Sequence, residues 1–185
     1  PEGFRTDEST LRKLYPNLYR LYDESVVCLN HHAREKTDIS ENQSIIGCYP
    51  SNCYINYEYA DNTVPFSLPN ILKSLYGVQS YSFHNGNYTF YNRNVHHEHA
   101  LGFAEYTARE QMDEMGSDKF TDYKARDNEY NLDSEMIDVC KQKMFPADRR
   151  FNTYITTITM HGQYEQRKNL QAHYNTLASY GITAP

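Results

Sequence analysis

The sequence predicts an α/β layer structure, and three observations point to it. Segments with apolar residues at helical spacing alternate with short apolar or β-branched runs, the element order of packed helix and sheet layers. One run, Val26–Leu29, is apolar at four consecutive positions, which suits a strand buried on both faces of a parallel sheet. Polar, aromatic-rich clusters follow each strand candidate, where open α/β sheets keep their ligands.

Leu11, Leu14, Leu18, Leu21 and Tyr22 are spaced for a helix, interrupted by Pro16, which is suited to the first position of a new helical segment. SVVCLNHHA then reads as a short buried strand. After a turn-rich stretch, PFSLPNILKSLYGVQ predicts a helix that starts near Leu68–Pro69 and closes at Gly77, and VQSYSFH predicts the next strand. Gly102 to Met115 has helical spacing stopped at Gly116, and its acidic residues from Glu105 to Glu114 form a solvated face. Asp133 is placed to cap a helix running to about Met144. FNTYITTITMH, rich in β-branched residues, is the most strand-like segment and ends at His161.

At 185 residues and 39% hydrophobic, the chain suits one domain with a real core. A net charge of −6 gives no bulk attraction for nucleic acid or an anionic membrane, so any anion site must be local. Eighteen Tyr and no Trp favour pockets that are half apolar and half wet, walls that suit sugar-like or polyol ligands. No apolar run approaches the length of a membrane span, and no signal peptide opens the chain. The chain starts at Pro1 within polar sequence, as a fragment would. Cys48 and Cys53 flank a turn-like YPSN that could close with a local disulfide or leave two thiols; no CxxC metal pattern is present. Adjacent histidines point in different directions, so the HHEH run at 96–99 and His31–His32 read as solvated loop rather than zinc ligands.

Four segments together carry a resemblance: YPNLYRLYDESVVCLNHHAREKTDISE, PFSLPNILKSLYGVQSYSFHNGNYTFYNRN, MGSDKF and FNTYITTITMHGQY. They resemble the sulfatase-like phosphoglycerol transferases, the lipoteichoic acid synthase family, over nearly the whole chain. The resemblance implies a partial alkaline-phosphatase/sulfatase-like sheet flanked by helices, an incomplete piece of one catalytic domain spanning 1–185. It implies transfer of a phosphoglycerol group from a phosphatidylglycerol-type lipid to a glycerol or glycan hydroxyl through a phospho-Thr intermediate. It also implies a Mn2+ or Mg2+ cofactor and an extracytoplasmic location, with any membrane attachment through segments outside this chain.

Residue by residue, the resemblance places Thr37 of EKTDISE as nucleophile and metal contact, Arg93 on the phosphate, Tyr91 near the glycerol and His161 closing the site. Lys36, Thr37 and Glu41 agree with the family's GKTSDAE, whereas Glu35, Asp38 and Ile39 depart from it, and Gly86 stands where the family has Asp. The chemistry is coherent. A Thr hydroxyl needs activation to become a nucleophile, and a planar guanidinium holds two phosphoryl oxygens at once. The family's further metal ligands, a Glu upstream and an Asp-His pair downstream, would lie outside these residues. One Thr oxygen does not satisfy a divalent cation, so the isolated chain is expected to be inactive. The rival expectations are a phosphoethanolamine transferase or sulfatase-type hydrolase of the same superfold, and a non-catalytic module that binds a glycerol-phosphate polymer.

Overall fold

Strand β1 (Gln79–His84) alternates two kinds of side chain, and the alternation sets the architecture: Tyr81 and Phe83 face one way, Ser80, Ser82 and His84 the other. In the computed structural model, which describes residues 7–29, 36–48, 55–116, 132–159, 161 and 175–181, β1 is the middle of a three-stranded parallel sheet. β2 (Glu105–Ala108) and β3 (Phe151–Thr156) flank it, with Phe83 beside Thr107 and Ile155. Helices flank the sheet, so the fold is mixed α/β, as the sequence predicts.

Phe83 is fully buried with Met112, Met136, Cys140 and Met144, against Tyr81, Val139 and Ile155. That core brings helices α7 (Arg109–Gly116) and α8 (Asp133–Met144) to the apolar face of the sheet. Burying such a side chain contributes roughly 1.5–3 kcal/mol. The opposite face is polar at β1, and a second cluster, Ile45, Leu101 and Phe103 with Ile46 and Tyr154, packs there around helix α3 (Thr37–Ile46). A polar sheet face pressed against a helix favours internal partners, and here Asn152 Nδ2 donates to Ser80 Oγ and Ser82 Oγ meets His97 Nδ1.

The helix α5 (Leu68–Tyr76) follows the predicted boundaries. Ser67 caps it, its Oγ accepting from Asn70 N at 3.3 Å; Pro69 occupies the first turn; Gly77, at φ 63°, ends it. Ser67 Oγ also donates to Leu101 O at 2.6 Å, which ties the helix start to the loop before β2.

The chain divides into two compact units, residues 34–168, which contain the sheet, and residues 1–33 with 169–185. In the latter, α1 (Glu8–Leu14) is capped by Asp7, whose Oδ1 accepts from Thr10 N, and α2 (Pro16–Asp23) opens on Pro16. Arg12 joins these two helices by pairing with Glu8 and Asp23. Among the described residues no helix is long and apolar enough to cross a membrane.

Three expectations are corrected. Residues 25–29, the described part of SVVCLNHHA, take no strand conformation, since an apolar run becomes a strand only beside a partner ladder, and residues 30–33 lie outside the described residues. The segment from Gly102 is not one helix. Residues 105–108 pair with β1 as β2, Tyr106 and Thr107 are buried rather than part of a solvated face, and the helix starts only at Arg109. HHEH is not solvated loop: after α6 (Arg93–Val95) the chain makes a π-helical turn, His96–Ala100, that buries His96 and His97.

Candidate functional site

Parallel strands deliver their C-terminal ends to one edge of a sheet, and here β1 ends at His84 while β3 ends at Thr156. A cleft of about 200 Å³ opens beyond these ends, lined by Thr37, His84, Phe90, Tyr91, Arg93, Thr156, Thr157, Ile158 and His161. The four residues singled out from sequence, Thr37, Tyr91, Arg93 and His161, therefore line one cleft although they come from three separated segments. Thr37 is the first residue of α3 and exposed, and His161 is also exposed. Glu35, His31, His32 and Cys53 lie outside the described residues, as do most of MGSDKF and residues 162–174. Cys48 carries a free thiol.

Arg93 is the most buried of the four, at 1% exposure. Its Nε donates to Glu41 Oε2 at 2.9 Å and its Nη2 to Glu41 Oε1 at 3.0 Å, a two-point grip that matches the planar fork to the carboxylate. Glu41 lies one turn along α3 from Thr37, so the ion pair ties the Thr37 helix to the Arg93 wall. Thr156 Oγ1 donates to the same Oε1 at 2.9 Å and adds the end of β3. Burial works against the Arg93 charge, and the Glu41 carboxylate more than offsets it, leaving the guanidinium pKa raised. With Nε and Nη2 engaged, Nη1 is the group left nearest to unspent: its bond is to Phe90 O at 3.4 Å. The Tyr91 ring centroid lies 5.1 Å from the guanidinium carbon.

The sequence places His84 only at the end of a strand, yet it lines the cleft. Its Nδ1 lies 3.0 Å from Thr156 O, and since a carbonyl only accepts, Nδ1 carries the proton. Burial, helped by the Arg93 charge, pushes its pKa down to about 4. His84 is thus a neutral imidazole with Nε2 as acceptor. Gly86 packs on that ring: a Cβ at 86 would stand 2.4 Å from Nε2. The missing side chain at 86 is therefore a steric requirement of a buried His84.

Behind the cleft, the buried histidines are held by polar partners. His96 Nε2 is 2.8 Å from Asn42 Oδ1, and burial drives its pKa to about 4. His97 Nδ1 is 2.9 Å from Ser82 Oγ, its ring stacks on Phe103, and burial lowers its pKa well below the usual range. Asp133 does not cap α8; Leu132 holds that position, and Asp133 begins the helix. Its carboxylate instead accepts from Ile158 N at 3.0 Å and Thr159 N at 2.7 Å, while Thr159 Oγ1 accepts from Asp133 N at 2.8 Å. This reciprocal clasp fixes the loop that carries Thr157 and Ile158 into the cleft. Its sequence signal, an Asp before a helix, was real but pointed to the wrong partner.

The divalent metal implied by the resemblance does not fit the described residues alone. Among them no three His, Cys, Asp or Glu side chains group to hold one. The Glu41 carboxylate is committed to Arg93 and Thr156.

The fold is a parallel sheet flanked by helices, three strands of it among the described residues. A solved structure shares it: the crystal structure of the lipoteichoic acid synthase LtaP from Listeria monocytogenes, with a TM-score of 0.59 and 17% identity, matched over 81% of this chain. The match spans 42% of that chain, so the matched residues cover less than half of its length. No protein-family model matches the sequence, and no curated protein matches it.

Proposed function

We propose that the cleft holds the phosphoryl group of a phosphoglycerol unit, and that Thr37 accepts this group as part of an extracytoplasmic phosphoglycerol transferase. The observation that carries the reading is the convergence of Thr37, Tyr91, Arg93 and His161 on one cleft at the carboxyl ends of β1 and β3. The shared fold with a lipoteichoic acid synthase supports it.

In this reading Arg93 Nη1 meets a phosphoryl oxygen, while Glu41 holds the guanidinium in a fixed plane and Tyr91 covers the polyol carbons. His84, neutral and with Nε2 as acceptor, contributes no charge to the wall. His161 stands at the exposed rim. Manganese or magnesium would supply activation of the Thr37 hydroxyl, with its remaining ligands assigned to protein outside these residues. The donor in this proposal is a phosphatidylglycerol-type lipid, the acceptor a glycerol or glycan hydroxyl.

The test is mass spectrometry of the longest natural form of the protein after incubation with phosphatidylglycerol and Mn2+, with phosphatidylethanolamine as the rival donor. A glycerophosphoryl adduct on the peptide containing Thr37, absent from Thr37→Ala, is the expected result. An ethanolamine-phosphoryl adduct would move the assignment to the rival transferase, and no adduct with either donor would sink the transferase reading. One observation favours a second reading, a binding module without turnover: Glu41 already compensates Arg93, which suits a neutral polyol-phosphate seat as well as a reacting one. Saturable binding of glycerol 1-phosphate with no adduct would select it.

A further inference from the structure

Tyr91 and Asn92 both adopt left-handed backbone, at φ 57° and 52°. An L-residue there costs on the order of 1 kcal/mol or more, tolerable for Asn and unfavourable for a bulky aromatic. Two in succession persist only where the surroundings over-determine them, and such strain gathers at sites that need it.

The surroundings are specific. Asn56, on the short helix α4 (Ile55–Glu58) and 1% exposed, donates from Nδ2 to Tyr91 O at 2.9 Å. Asn92 Nδ2 donates back to Asn56 O at 2.8 Å, so the two asparagines clasp the strained turn from both sides. Asn56 Oδ1 is fixed in turn by Asn42 Nδ2 at 2.7 Å, and Asn42 is itself anchored by His96 and by Asp38 O. Asn56 does not line the cleft, yet its amide nitrogen is spent on the turn that does, and its amide oxygen on Asn42 of α3.

We propose that Asn56 is a positioning residue. It holds the Tyr91–Asn92 turn in its strained form, so that the Tyr91 ring stands over Arg93 as the polyol-facing wall of the cleft. The inference rests on the proposed phosphoglycerol seat for its ligand, though not for its geometry. A glycine at 91 would make the same turn without strain, and an aromatic kept there at a cost implies that the ring is what the turn exists to present.

The chain has no Trp, so Tyr91→Trp places a single fluorescent indole at the turn itself. In this background Asn56→Asp keeps the acceptor for Asn42 and loses the donor to the carbonyl of residue 91. Asn92→Ala and Asn92→Gly both remove the return bond, but only Gly tolerates the left-handed backbone. The readouts are acrylamide quenching and anisotropy of the introduced indole, in variants that retain the parent's circular dichroism. Higher quenching and lower anisotropy are expected in Asn56→Asp and Asn92→Ala, with Asn92→Gly between Asn92→Ala and the parent. Glycerol 1-phosphate affinity, read by the same fluorescence, is expected to fall about tenfold in Asn56→Asp, the equivalent of one lost buried hydrogen bond. Indole dynamics unchanged in Asn56→Asp and Asn92→Ala would overturn the proposal; if Asn56→Asp does not fold, equal dynamics in the Ala and Gly variants at 92 would do so. A parent protein blind to glycerol 1-phosphate, with the dynamics shifting as expected, would defeat the phosphoglycerol seat and leave the positioning role standing.

Discussion

Glu41 is the residue on which most of the site depends. It bonds Arg93 twice and Thr156 once at 4% exposure, so it binds α3, the Arg93 wall and the end of β3 through one carboxylate. Glu41→Ala would leave a buried, uncompensated guanidinium, and loss of about 3–5 kcal/mol is expected in urea unfolding. Glu41→Gln, which keeps the shape and one acceptor, should lose less. Gly86 gives a second expectation at this scale. In Gly86→Ala the methyl would collide with the His84 ring, and a loss of about 1–3 kcal/mol is expected, with perturbed imidazole resonances in NMR. Neither constraint was legible in the sequence as such. Glu41 matched a family motif without a role, and its partner lies 52 positions away.

At the scale of elements, legibility followed locality. Helix α5 was readable because its cap, proline and closing glycine act within a few residues, and β1 because its alternation is its own. β2 was not, because EYTA becomes a strand only through the ladder that β1 offers it, while its flanks have helical spacing. Val26–Leu29 failed in the opposite sense, having strand composition and no strand conformation. Asp133 belongs here too, since it joins the start of α8 to the loop after β3. Asp133→Ala is expected to cost about 2 kcal/mol, charged hydrogen bonds being lost. Hydrogen exchange should show the amides of Ile158 and Thr159 losing protection while the β1–β3 ladder keeps it.

For the whole molecule, three buried neutral histidines set a pH limit. His84 and His96 titrate near 4 in the folded chain against an ordinary 6.5, and His97 is lowered as well. Between those values the unfolded chain binds more protons than the folded one, so stability is full above about 6.5 and is lost as pH falls toward 4. For a shift from 6.5 to about 4 the loss is roughly 3 kcal/mol per histidine. Urea midpoints measured from about pH 7.5 to about 4.5 should fall steeply below roughly 6.5, and a His96→Gln protein should show a shallower slope. This behaviour was invisible in the run HHEH, which reads as solvated unless Asn42 and Ser82 are known to meet it.

The burial of Asn42 has a practical consequence for making the protein. Asn42-Gln43-Ser44 is an acceptor sequence for N-linked glycan, and so is Asn87-Tyr88-Thr89. Asn87 is exposed and could carry a sugar without disturbing the fold. Asn42 is 1% exposed, and its amide nitrogen bonds Asp38 O and Asn56. A sugar attached to it during secretion would occupy the space that α3 must close. Production in a glycosylating host should therefore yield misfolded material, rescued by Ser44→Ala, whereas a host without that machinery should not need the change.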